Sequence, residues 1–182
     1  VRTGALYHDI GKMEEPFYYI ENQSSGENPH DNMEFEKSAR IIIGHVTKGV
    51  EIARKNALPE PLIDFIRTHH GTSTVQYFYR SFLKKYPEEE VDVRKFSYPG
   101  PKPFTREMAI VMMADSVEAA SRSLKQINDH TVDKLVESII HAQMLEEQFN
   151  DASITFRDIT AIKEVFRKRL KNIYHARIAY PA

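Results

Sequence analysis

Residues 34–56 read EFEKSARIIIGHVTKGVEIARKN. Apolar side chains recur at Phe35, Ala39, Ile42, Ile43, Val46, Val50 and Ala53, the spacing of three and four that puts them on one face of an α-helix. A stripe of this length predicts a central core helix stopped by Leu58-Pro59. One residue is out of character with the apolar segment around it, His45.

Upstream, Val1 to Ile10 is small and apolar with one His-Asp pair, and Gly11 is expected to close a helix there in the left-handed conformation. Residues 14–32 contain Pro16, Ser24, Ser25, Gly26 and Pro29 among polar residues and predict a loop. Downstream, Pro61 suits the first turn of a helix that runs through Leu62, Ile63, Phe65 and Ile66 to His69, His70 and a second closing glycine, Gly71. A helix over Thr74 to Tyr86 follows, then a linker that opens at Pro87 and ends in Ser97-Tyr98-Pro99-Gly100-Pro101-Lys102-Pro103. Three more helices are predicted, over Thr105 to Leu124, over Val132 to Phe149 and after Thr155, where Thr-Phe-Arg-Asp has capping-box spacing. Strand-like alternation is scarce, so the fold class is all-α. A chain of 182 residues is expected to form one domain, 1–182, around one core.

Composition narrows the chemistry. The 25 basic and 26 acidic residues nearly cancel, and no Lys/Arg cluster forms the stripe that long nucleic acids require. Cysteine is absent, so a metal must be held by nitrogen and oxygen. The longest apolar run, Met108 to Ala114, is far short of the roughly 20 residues needed to cross a bilayer. The chain opens without Met inside a helix-like segment and reads as a piece of a longer polypeptide.

Four features carry potential chemistry. His8 and Asp9 are adjacent, about 100 degrees apart on a helix, so they do not chelate one ion as an i, i+4 pair does. At a helix end, however, the Asp9 carboxylate can bridge two cations while His8 reaches the nearer one. A lone His-Asp dipeptide is more often a surface or capping pair. A lone His45 on an apolar face is more often a hydrogen-bonded core residue. His69-His70 places two imidazoles side by side before Gly71. Asp115 follows Ala109-Ile110-Val111-Met112-Met113-Ala114, where a buried carboxylate needs a cation or hydrogen-bond donors, an Arg partner or an exposed face being the alternatives.

The ordered series His-Asp, His, His-His, Asp resembles the HD superfamily of metal-dependent phosphohydrolases. The runs Tyr7-His8-Asp9-Ile10-Gly11-Lys12, Glu21-Asn22-Gln23, Asn28-Pro29-His30-Asp31, His69-His70-Gly71, Ser97 to Pro103 and Ala114-Asp115-Ser116-Val117-Glu118-Ala119-Ala120-Ser121-Arg122 are similar to the cytosolic HD domain of the seven-transmembrane HD receptors. That resemblance implies a helical bundle of the HD type and hydrolysis of cyclic di-AMP to a linear dinucleotide by a metal-bridging hydroxide. It implies two divalent transition metals, iron or manganese: His8, Asp9 and Asp115 serve one, while Asp9, His45, His69 and His70 serve the other. The family has a further His on the helix upstream of the His-Asp pair, so one metal position in this chain is expected to be under-coordinated. His30 matches by residue type but reads as a loop residue. Asp9 and Lys12 are the expected catalytic residues. Lys12 and Arg122 are candidates to hold phosphate, and Tyr98, Gly100 and Pro101 to wall an adenine pocket. Both cations also read as solvated surface charges, and the Pro-rich loop as a connector. The expected location is the cytoplasmic domain of an integral membrane protein, with no membrane contact from this segment itself.

The related branch that cleaves cyclic di-GMP carries Gly-Tyr-Pro after its His-His pair, whereas Gly71 here leads into Thr72-Ser73-Thr74-Val75. The alternatives are an HD hydrolase of another nucleotide, a nucleotide sensor without turnover, and a helical interaction domain in which the His and Asp residues are coincidental.

Overall fold

The computed structural model describes residues 1–23, 28–124 and 126–175, so residues 24–27 of the expected loop lie outside it. The described residues form seven α-helices joined by turns and short 3₁₀ segments: α1 (Arg2–Tyr7), α2 (Phe35–Lys55), α3 (Glu60–Thr68), α4 (Gln76–Lys85), α5 (Arg106–Ser121), α6 (Asp129–Leu145) and α7 (Phe156–His175). The only strand-like pairing among them is an isolated bridge between Thr74 and Ser97. The all-α class therefore holds. The chain divides into two compact units, Val1–Lys102 and a second from Pro103 onward.

In the first unit, α2 is the axis. Its buried residues Ala39, Val46 and Ala53 lie seven apart on the expected stripe, and α3, α4 and the 3₁₀ segments Ile10–Met13 and Val93–Phe96 pack on it. Chain length leads one to expect a single core, but the described buried apolar side chains gather in three clusters. One surrounds the N-terminal half of α2, where Phe35, Ala39, Ile42 and Ile43 meet the aromatic residues Phe78, Phe82 and Phe96. Another surrounds its C-terminal half, where Val50 and Ala53 meet Ile63, Ile66 and Ile10. Between these halves sits His45, fully buried, so polar side chains occupy the place where the apolar core would otherwise be continuous.

The second unit is built from α5, α6 and α7 around a third cluster that includes Met112, Met113, Val117, Val132, Val136 and Ile140. Thr105 caps α5 by accepting from the Met108 amide, and the expected Thr155–Asp158 capping box forms, with Asp158 accepting from the Thr155 amide at 2.9 Å. Helix α6 differs from its expected bounds. It starts earlier because Asn128 and Thr131 form a reciprocal cap, and it ends before Glu147, which adopts φ +55°.

The two glycines expected to close helices behave differently. Gly71 takes the left-handed conformation at φ +53°, as expected. Gly11 does not: α1 ends at Tyr7, and Gly11 lies inside the 3₁₀ segment Ile10–Met13. Its role is steric. A Cβ at Gly11 would overlap the His45 carbonyl oxygen and approach the Gly49 nitrogen to 2.6 Å, so only glycine lets this turn press against α2.

Candidate metal centre

Helix geometry orients the histidines. The last carbonyls of a helix lack intrahelical partners, and His8 and His69, each one residue past a helix end, use them. Nδ1 of His8 lies 2.7 Å from the Ala5 carbonyl, and Nδ1 of His69 lies 2.7 Å from that of Ile66. His45, inside α2, repeats the pattern at 2.6 Å from the Ile42 carbonyl. A carbonyl only accepts, so each Nδ1 carries the proton and each Nε2 is left with its lone pair.

Those lone pairs converge. Nε2 of His45 and Nε2 of His69 are 3.1 Å apart, and Asp9 Oδ1 lies 3.3 Å and 3.5 Å from them. Asp9 Oδ1 is buried and has no aligned hydrogen bond. With His70 included, ligand atoms of Asp9, His45, His69 and His70 all lie within 4.8 Å of one another. Electron pairs packed this closely repel unless a positive charge sits among them. A proton can serve in the metal-free protein, and a divalent cation fits the same donor set, with each Nδ1–H···O=C bond holding its imidazole in the ligating tautomer.

Electrostatics agree with this fit. Burial pushes the His69 imidazole down, and pushes His70 further down together with its neighbours His69 and His45, which keeps both rings neutral and able to ligate. Burial alone would raise the Asp9 carboxyl, but hydrogen bonds from His45, His69 and His8, made when a proton sits among the facing Nε2 atoms of the metal-free protein, hold it well below the usual carboxylate range. Asp9 is therefore an anion whose two oxygens face different groups. Oδ1 faces His45 and His69, while Oδ2 lies 3.3 Å from His8 Nε2 and 2.7 Å from Lys12 Nζ.

The remaining expected residues take varied places. Lys12 is ion-paired to both Asp9 and Glu21. Burial opposes its charge, but attraction to Asp9 and bonds to both carboxylates raise it above the ordinary lysine value. Tyr98 stacks on His70 with ring centroids 4.2 Å apart, so it walls the centre from the His-His side. Gly100, ahead of Pro101, lies against Thr72 in the turn that follows His69-His70-Gly71. His30 stays outside the cluster: its Nε2 bonds the Tyr18 carbonyl at 3.0 Å and its ring packs on Tyr18 and Phe78, consistent with its loop reading. In the second unit, Asp115 is partly buried on α5, and Arg122 forms a two-pronged bond to Glu118 just past the end of that helix.

Two residues that frame the centre had no role assigned from sequence. Tyr19 is buried edge-on to His45, and burial raises its hydroxyl to about 12. Glu21 holds the far side of Lys12. Both lie in a loop whose composition predicts turns and nothing about direction; the one signal was the run Glu21-Asn22-Gln23, which carried no chemistry of its own.

Comparison with known proteins bears on this geometry. The HD domain family model matches residues 1–120. The chain is 42% identical over 180 residues to the cyclic-di-AMP phosphodiesterase PgpH of Bacillus subtilis (strain 168), covering 99% of this chain and 25% of that protein. It is likewise 42% identical over 181 residues to PgpH of Listeria monocytogenes serotype 1/2a (strain 10403S), covering 100% of this chain and 25% of that protein. It thus spans about a quarter of the length of these curated relatives. The crystal structure of the L. monocytogenes PgpH HD domain in complex with cyclic-di-AMP matches with a TM-score of 0.90 at 40% identity, covering 95% of this chain and 80% of that one. A helical bundle, a histidine and aspartate cluster suited to divalent metal, and a family match over residues 1–120 agree: the chain belongs to the HD domain family.

Proposed function

We propose that this chain is the catalytic HD domain of a longer protein and hydrolyses a cyclic dinucleotide, cyclic di-AMP, to its linear dinucleotide with two divalent transition metals, iron or manganese. The observation that carries this reading is the division of the Asp9 carboxylate, with Oδ1 toward His45 and His69 and Oδ2 toward His8 and Lys12. A carboxylate so placed suits a bridge between two cations. Asp9, His45, His69 and His70 would hold one, and His8, Asp9 and Asp115 the other. Asp115's part rests on the family resemblance, and with it the reading that 1–182 acts as one catalytic domain.

When bound, the cations supply the positive charge that acidifies water and neutralises charge growing on phosphoryl oxygens. The protein's own share is positioning. Burial keeps the His69 and His70 imidazoles neutral, Lys12 offers its ammonium to a phosphate oxygen beside Asp9, and Arg122 offers a second cation. Tyr98, Gly100 and Pro101 wall the space for a base. The names of the relatives, and the cyclic-di-AMP complex of one of them, support the substrate. No helix among the described residues is long and apolar enough to cross a membrane, and the greater length of the relatives supports a longer parent protein; a membrane anchor for that parent, with this part in the cytoplasm, rests on the family resemblance alone.

The test is to load the protein with manganese or iron and to incubate it separately with cyclic di-AMP and cyclic di-GMP, separating products by chromatography. A linear adenine dinucleotide that stops forming on chelation is the expected result. Faster loss of the guanine dinucleotide would overturn the substrate, and bound but intact ligand would favour a sensor. Protein that takes up no stoichiometric metal would overturn the metal centre itself.

A further inference from the structure

The Lys12 ammonium is held from two sides. Nζ lies 2.7 Å from Asp9 Oδ2 and 2.7 Å from Glu21 Oε1, with the Tyr19 ring centroid 5.5 Å away. All three carboxylate and ammonium groups are less than a third exposed, at 22% for Lys12, 28% for Asp9 and 29% for Glu21. Glu21 arrives from a separate segment, the 3₁₀ turn Ile20–Asn22, which is tied down just before its start by Tyr19. Tyr19 is buried, its hydroxyl donates to the Ile41 carbonyl at 3.3 Å, and its ring meets His45 edge-on. Glu21 is not one of the residues whose ligand atoms gather around Asp9, His45, His69 and His70, so it lies behind Lys12 and not among that donor set.

A divalent cation and the Lys12 ammonium are like charges drawn to the same Asp9 carboxylate. The doubly charged ion attracts Asp9 more strongly and repels the ammonium, and a lysine with no other partner then moves out to water. Glu21 gives it another partner. We propose that Glu21 is a positioning residue that retains the Lys12 ammonium at the rim of the metal centre once cations engage Asp9, so that Lys12 stays available to a phosphate oxygen. This rests on the reading of Lys12 as a phosphate-holding residue.

The experiment labels the full, manganese-loaded chain with an amine-acylating reagent in the absence of substrate and maps modified lysines by mass spectrometry. Lys48, paired with Glu15 in the same loop, is the internal control. Glu21→Gln keeps the shape and removes the charge. The expected result is several-fold faster labelling of Lys12 with Lys48, metal content and melting temperature unchanged, and restored protection in Glu21→Asp. On cyclic di-AMP, the KM of Glu21→Gln should rise by a larger factor than kcat falls. Unchanged Lys12 labelling overturns the proposal. So does a joint rise at Lys12 and Lys48, which reports loop release, or a loss of bound manganese, which makes Glu21 a support of the metal. Labelling needs no turnover, so failure of the unaltered protein to cleave cyclic di-AMP counts against the substrate alone.

Discussion

Two stretches of this chain look alike on paper and work by opposite means. His8-Asp9-Ile10-Gly11 and His69-His70-Gly71 each put histidine or aspartate, residue types able to hold a metal, at a helix end ahead of a glycine. At Gly71 the glycine is needed for its dihedral angle, φ +53°, which turns the chain out of α3. At Gly11 it is needed for its missing side chain, because the turn that carries Asp9 presses directly on the α2 backbone at His45 and Gly49. One end is an ordinary helix stop. The other is a contact that places Asp9 against His45.

Substitutions at the two turns test this contrast. The largest effect is expected from Asp9→Asn, which keeps the shape of the first turn but removes the charge shared by both donor sets: activity should fall by more than about 100-fold. Manganese content by atomic emission checks the cause, and retention of full occupancy would contradict a bridging Asp9. Next, Gly11→Ala forces backbone apart inside the core and should lower stability by about 3 kcal/mol or more, read by urea melts. Gly71→Ala carries only the left-handed penalty, about 1–2 kcal/mol. Equal losses at the two glycines would show that Gly11 is not a steric requirement.

The smallest effect is a pH dependence of the metal-free protein. His69 and His70 titrate lower when folded than when unfolded, so below the ordinary imidazole value the unfolded chain binds more protons. Stability is then fully present near neutrality and is lost as pH falls through the window between the unfolded and folded values. Asp9, also lowered on folding, acts in the same direction at more acidic pH. Urea midpoints between neutral and mildly acid pH check the sign; a rise on acidification would show that these imidazoles are not held neutral.

The helices were legible because their signals are local. The α2 stripe, Pro61 in the first turn of α3 and the Thr155–Asp158 box each involve residues within a turn or two, and each appears as read. The start of α6 was missed because Asn128 and Thr131 reciprocate in a pairing that their types leave open. At the site, the residue types of the donor set were readable, yet the partners of Lys12 were not. Whether a lysine faces solvent or Glu21, nine residues on, depends on the path of a loop, and turn-forming residues encode no direction.

The all-α class, the helix order and the available imidazoles and carboxylates can be read from the residues alone, since periodicity and donor chemistry are properties of residues and near neighbours. The 3.1 Å separation of the Nε2 atoms of residues 45 and 69, the different directions of the two Asp9 oxygens and the steric need for Gly11 emerge once the chain is folded. Those facts depend on how segments distant in the chain pack against α2. Close packing sets such distances, and no local signal carries them.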